Sequence, residues 1–147
     1  MIAGVLAMQV VGGTVASFAV RRLAVMPTLV ACSAALAAVT TTIHQLPGGS
    51  MLNFALGCAL FGFVWLFMLP FHIGLAFRAD ASGRLAVLVP AAQLLGSAFG
   101  PLTASFIVDG ENAAAVPLLS AGFAIAAAVL LLTTRPRRAA VSARAAP

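Results

Sequence analysis

The chain has 147 residues, of which 63% are hydrophobic and 7% charged, and its mean hydropathy is +1.13. Average soluble domains are about 45–50% apolar and about 25% charged, so this surface cannot be wetted all round, and the lipid bilayer is the solvent that fits. The net charge of +5 and the sequence pI near 11.5 rest on eight basic residues, all arginines, with no aromatic-interleaved basic patch, which excludes a nucleic-acid surface and points to membrane topology.

Five apolar runs follow one another at about residues 1–20, 27–46, 51–77, 85–108 and 113–133. Each is near or above the roughly 20 residues that carry a helix across a hydrocarbon core. They are apolar all round and rich in alanine, which favours helix over the strict alternation of a membrane barrel. The sequence therefore predicts an all-α polytopic membrane protein with five transmembrane helices, a bundle over 1–134 and a basic, low-complexity tail over 135–147.

The first run begins apolar at once, without the leading positive charge of a secretory signal. An anchor with its N-terminus outside begins this way, and so does a chain cut from inside something longer. After this run come Arg21 and Arg22, and the second run carries Cys32, which with Cys58 in the third we read as a small core residue and not as part of a disulfide framework or metal motif. "PGGS" separates the second and third runs, "RADASGR" the third and fourth, and "DGEN" the fourth and fifth; all are short and rich in turn formers or charge, so neighbouring helices run antiparallel.

With that threading, Arg21, Arg22, Arg78, Arg84, Arg135, Arg137, Arg138 and Arg144 all fall on one side of the membrane, and Asp109 and Glu111 on the other. Basic loops stay cytoplasmic, which predicts an outside N-terminus, a cytoplasmic C-terminus and a multi-pass protein of the cell inner (plasma) membrane. The tail arginines are expected on anionic headgroups.

Polar side chains at depth are few. Trp65 lies near the middle of the third run, His72 about 10 Å further along, just past Pro70, and Gln93 inside the fourth. Intramembrane polar residues mark solute pathways, and on that reading these three line a water-filled path. On the other, Gln93 is interhelical glue, Trp65 is packing and His72 caps a kink. His44 and Asn53, near the outer surface, read as interfacial. In the fourth run Gly96 and Gly100, with Ala92 and Ala104 extending the row, make a small-residue seam for helix packing, and Pro101, like Pro90, invites a kink. No acidic or basic residue falls in mid-span, neither histidine has a nearby carboxylate, and no catalytic or metal pattern occurs, so neither an enzyme nor a cofactor is expected.

The order of these pieces resembles the C-terminal part of a major facilitator superfamily (MFS) transporter, from its eighth to its twelfth membrane helix. "GTVASFAVRR" is similar to that family's cytoplasmic loop motif: Gly13, Arg21 and Arg22 match, while Ser17 stands at its acid, Phe18 at its first base and Val20 at its second glycine. "RADASGRLA" followed by "QLLGSAFGP" is similar to its acid-Ser-Gly-Arg turn and glycine-rich span, with Asp80, Ser82, Gly83 and Arg84 in the turn and Gly96, Gly100 and Pro101 in the span. The resemblance implies transport of a small solute by alternating access, with Asp80 and Arg84 at the cytoplasmic gate, where loop charges pair across helix ends. A hairpin kept soluble by its charges accounts for the same residues. Family transporters place their site between two six-helix halves, so five helices imply an incomplete C-terminal part whose partners are the lipid bilayer, the solute and the missing N-terminal half. The alternative is a freestanding five-span membrane protein that acts as an assembly partner through the Gly96 and Gly100 face.

Overall fold

A computed structural model describes residues 2–45, 51–108 and 115–134. These form five helices: α1 (Ile2–Ala19), α2 (Val25–His44), α3 (Met51–Ala79), α4 (Arg84–Ser105) and α5 (Val116–Thr133). Among the described residues there is no strand. "PGGS", "DGEN" with Asp109 and Glu111, and the tail with its four arginines lie outside the described residues.

Among the described residues, α2 to α5 are long and apolar enough to cross a membrane. At 18 residues, α1 sits at the lower edge of the roughly 17–25 that span, so four of the five anticipated spans meet the criterion. Boundaries shift by a few residues. Helix α2 starts at Val25, before Pro27, because a proline in the first turn lacks only an N–H that has no intrahelical partner anyway. Helix α4 takes in Arg84 and stops at Ser105, with a turn at Phe106 and Ile107. Arg78 belongs to the last turn of α3, so the charged loop shrinks to Asp80–Gly83.

At the centre of the bundle is α3, which touches α1, α2 and α4; α5 packs on α2. Glycine contacts fix the directions. Gly62 of α3 meets Val5 and Gln9, Gly12 meets the backbone of Phe63, and Gly13 faces Leu66, so α1 and α3 run parallel. Gly57 meets Ile43 and Gly74 meets Val25, so α2 and α3 run antiparallel. This threading brings Arg21, Arg22, Arg78 and Arg84 to one end of the bundle, as short loops between successive membrane helices require.

The core lies between α1, α2 and α3: Ala16, Val25, Leu29, Leu36, Val64, Met68 and Phe71. A ladder of rings, Phe63, Phe67 and Phe71, runs along one side of α3 at centroid distances of 5.8 and 5.3 Å. Lipid tails are as apolar as leucine, so this core holds by close packing and dispersion more than by escape from water. In contrast, α4 buries no residue, and its Gly96 and Gly100 face open space. Among the described residues, the expected packing seam is therefore unfilled. The close helix approach is instead at Gly12 and Gly62, because there two backbones meet where side chains are absent.

Candidate functional site

Each of the helices α2 to α5 turns one stripe of side chains toward a shared cavity of about 570 Å³. Helix α2 gives Ser33, Leu36 and Thr40; α3 gives Phe61, Trp65, Met68 and His72; α4 gives Gln93, Gly96, Phe99, Gly100 and Thr103; α5 gives Ser120, Phe123, Ala124 and Ala127. The spacings of three, four and seven are those of residues sharing one helix face. The volume falls within the roughly 300–1,000 Å³ of small-molecule sites.

Trp65, His72 and Gln93, which the sequence placed on two separate runs, thus meet on one cavity. Trp65 stacks on Phe61 one turn earlier, with centroids 6.1 Å apart and planes inclined by 16°, making a flat aromatic wall. Half-buried His72 bonds to the backbone of Met68, which lines the same cavity one turn earlier. Gly96 and Gly100 belong to the same cavity and leave its α4 side open, with nothing within 4 Å of a β-carbon added at either. Pro101 is not on this cavity. It lines a neighbouring space between α4 and α5, with Gly100, Ala104 and Val116.

Sequence reasoning missed Ser33, Thr40 and Ser120, because hydroxyl residues are unremarkable in membrane helices. The seven-residue interval from Ser33 to Thr40 was the available signal, since it puts both on one face of α2. Their hydroxyls differ. Thr40 Oγ1 donates to the Leu36 carbonyl at 2.9 Å and Ser120 Oγ to the Val116 carbonyl at 3.1 Å. Ser33 is 1% exposed, and among the described residues its Oγ has no partner.

Away from the cavity, the loop at the arginine end is tightly organised. The Asp80 carboxylate accepts hydrogen bonds from the Ser82 hydroxyl at 2.6 and 2.8 Å, from the Ser82 amide at 2.9 Å and from the Leu85 amide at 3.4 Å. Gly83 follows with φ of +79°, a conformation suited to glycine. The Ser82 hydroxyl and amide hold the Asp80 carboxyl below the usual aspartate range. Among the described residues Asp80 makes no ion pair with Arg78 or Arg84, and its carboxylate closes its own turn through these short local bonds. Arg21 and Arg22 are exposed in the turn after α1, and Arg84 opens α4, also exposed.

His44 ends α2 half-buried, and exposed Asn53 borders a separate recess between α2 and α3. No cluster of three or more His, Cys, Asp or Glu suited to a metal occurs among the described residues. Comparison with protein-family models, with curated proteins and with solved structures gives no match for this chain.

Proposed function

We propose that this chain is the C-terminal helical part of a small-solute transporter of the MFS type, working by alternating access. The observation that carries the reading is the shared cavity: four apolar, membrane-length helices converge on it with aromatic walls and a few polar groups, Trp65, His72 and Gln93 among them. A two-half transporter places its site between halves, so further helices complete the path on the α4 side, where Gly96 and Gly100 stand open. The end bearing Arg21, Arg22, Arg78 and Arg84 faces the cytoplasm on this reading, as the distribution of basic loops supports. The loop around Asp80 then acts as a rigid cytoplasmic hinge between α3 and α4.

The test is wetting of the cavity. In a chain with Cys32 and Cys58 replaced by serine, Thr40→Cys is treated with a small membrane-impermeant thiol reagent applied to each membrane face, with Ala81→Cys as the loop control. A solute path makes position 40 reactive from one face. Reactivity at 81 with position 40 inert from both faces overturns the transport reading.

The open face at Gly96 and Gly100 also favours a second reading, an assembly partner that docks another helix there. On that reading the paired changes Gly96→Leu and Gly100→Leu abolish crosslinking to the partner; unchanged crosslinking overturns it.

A further inference from the structure

Among the described residues every serine and threonine hydroxyl but one has a hydrogen bond. Ser82 bonds to Asp80, and all the others except Ser33 donate to a backbone carbonyl three or four residues back along the chain. Back-bonding of this kind is the ordinary fate of a hydroxyl in a membrane helix. Ser33 departs from it although it is almost fully enclosed, and it lines the cavity. A buried hydroxyl without a partner is costly, and the cost is removed when a ligand supplies the missing bond.

The rest of the lining narrows the ligand. Among the described residues, no aspartate, glutamate, lysine or arginine borders the cavity. A cationic solute entering it would lose its hydration and meet no carboxylate on these helices, and an anionic one would meet only the His72 imidazole. The walls are aromatic and aliphatic, with Phe61, Trp65, Phe99 and Phe123 the largest surfaces. Resting on the transport reading above, we infer that the cavity takes an uncharged amphipathic small molecule, with an aromatic or aliphatic body against Trp65 and Phe61 and a hydroxyl or amide group bonded to Ser33.

Trp65 is the single tryptophan of the chain, so its fluorescence reports this cavity directly. The purified full chain in lipid nanodiscs at neutral pH is titrated with three probes that share one body: 4-phenylbutanol, 4-phenylbutanoate and 4-phenylbutylammonium. The expected result is a saturable change in Trp65 emission with the alcohol and at least tenfold weaker binding of both ions. Ser33→Ala weakens alcohol binding about threefold to tenfold, the scale of one hydrogen bond. Ser97→Ala, whose hydroxyl is bonded to the Gln93 carbonyl, leaves it unchanged.

A response that only tracks partitioning into lipid, equal binding of the three probes, or unchanged affinity in Ser33→Ala overturns the inference. Failure here is separable from failure of the transport reading. A cavity that is wet in the thiol assay yet does not prefer the alcohol refutes the ligand class alone, and a cavity inert in that assay refutes the path.

Discussion

Gly12 of α1 lies directly against the backbone of Phe63 in α3: a β-carbon placed on Gly12 would fall 3.1 Å from the Phe63 Cα and collide with its carbonyl oxygen. Helices α1 and α3 approach this closely only because the glycine has no side chain, and the obstacle is backbone, which does not swing aside. Gly12→Ala is therefore expected to destabilise the bundle by about 1–3 kcal/mol through overpacking. Gly96→Ala, inside α4 and facing open space, is expected to be neutral or to stabilise by up to about 1 kcal/mol, since alanine favours helix over glycine. Reversible denaturant unfolding in mild detergent measures both, and equal effects would refute the assignment of the close approach.

Gly83→Ala tests the turn between α3 and α4. Its φ of +79° is left-handed, and an added β-carbon would stand 3.0 Å from Cε1 of Phe77. The left-handed conformation alone costs a residue with a β-carbon about 1–2 kcal/mol. The expected outcome is faster protease cleavage between Ala79 and Arg84 than in the parent; an unchanged cleavage rate would count against a strained turn.

The Asp80 carboxyl titrates below its ordinary range because the Ser82 hydroxyl and amide bond to its charged form, with the Leu85 and Arg84 amides adding smaller contributions in the same direction. A depressed folded-state pKa means that the stabilising contribution is present above the unfolded value and is lost as pH falls through the folded value. The turn should thus persist below the pH at which free aspartate protonates. Carboxyl carbon shifts followed by NMR against pH are expected to show a low midpoint in the parent and a midpoint moved upward in Ser82→Ala.

Phe71 and Leu29 are both 0% exposed, whereas Phe106 is 82% exposed. Truncating a fully enclosed side chain leaves a cavity and forfeits dispersion contacts, a loss that survives in lipid even where the water-driven part does not. Phe71→Ala is expected to cost about 3–5 kcal/mol or somewhat less in a bilayer setting, and Phe106→Ala close to nothing. Unfolding in detergent compares the two; similar losses would contradict the location of the core.

Much of the architecture was legible in the chain itself. Long apolar runs separated by short polar turns fix helices that cross a membrane, because a backbone in lipid must satisfy its own hydrogen bonds and helix does so within one segment. Short loops then fix antiparallel neighbours, and with them the gathering of Arg21, Arg22, Arg78 and Arg84 at one end. Trp65, His72 and Gln93 stood out because polar groups are rare in such runs.

What the sequence left open was which face of each helix meets which neighbour. The runs are apolar all round, so amphipathic periodicity, the usual guide to a buried face, is weak in lipid-facing helices. Small-residue spacing was the remaining signal, and it was ambiguous: Gly96 and Gly100 have the spacing of a packing seam, yet the close contact formed at Gly12 and Gly62. The local partners of Asp80 were equally hidden, since a carboxylate between two arginines suggests an ion pair until the Ser82 hydroxyl and the turn's backbone amides are seen to reach it. The tertiary structure alone decided that Ser33, on α2, borders the same space as Trp65, His72 and Gln93, and that its hydroxyl stands without the bond its counterparts make. Local sequence governs which segments are helical because hydrogen bonds and hydrophobicity act along the chain; which side chains share a cavity depends on the rotation and pairing of whole helices, which contacts between distant residues settle.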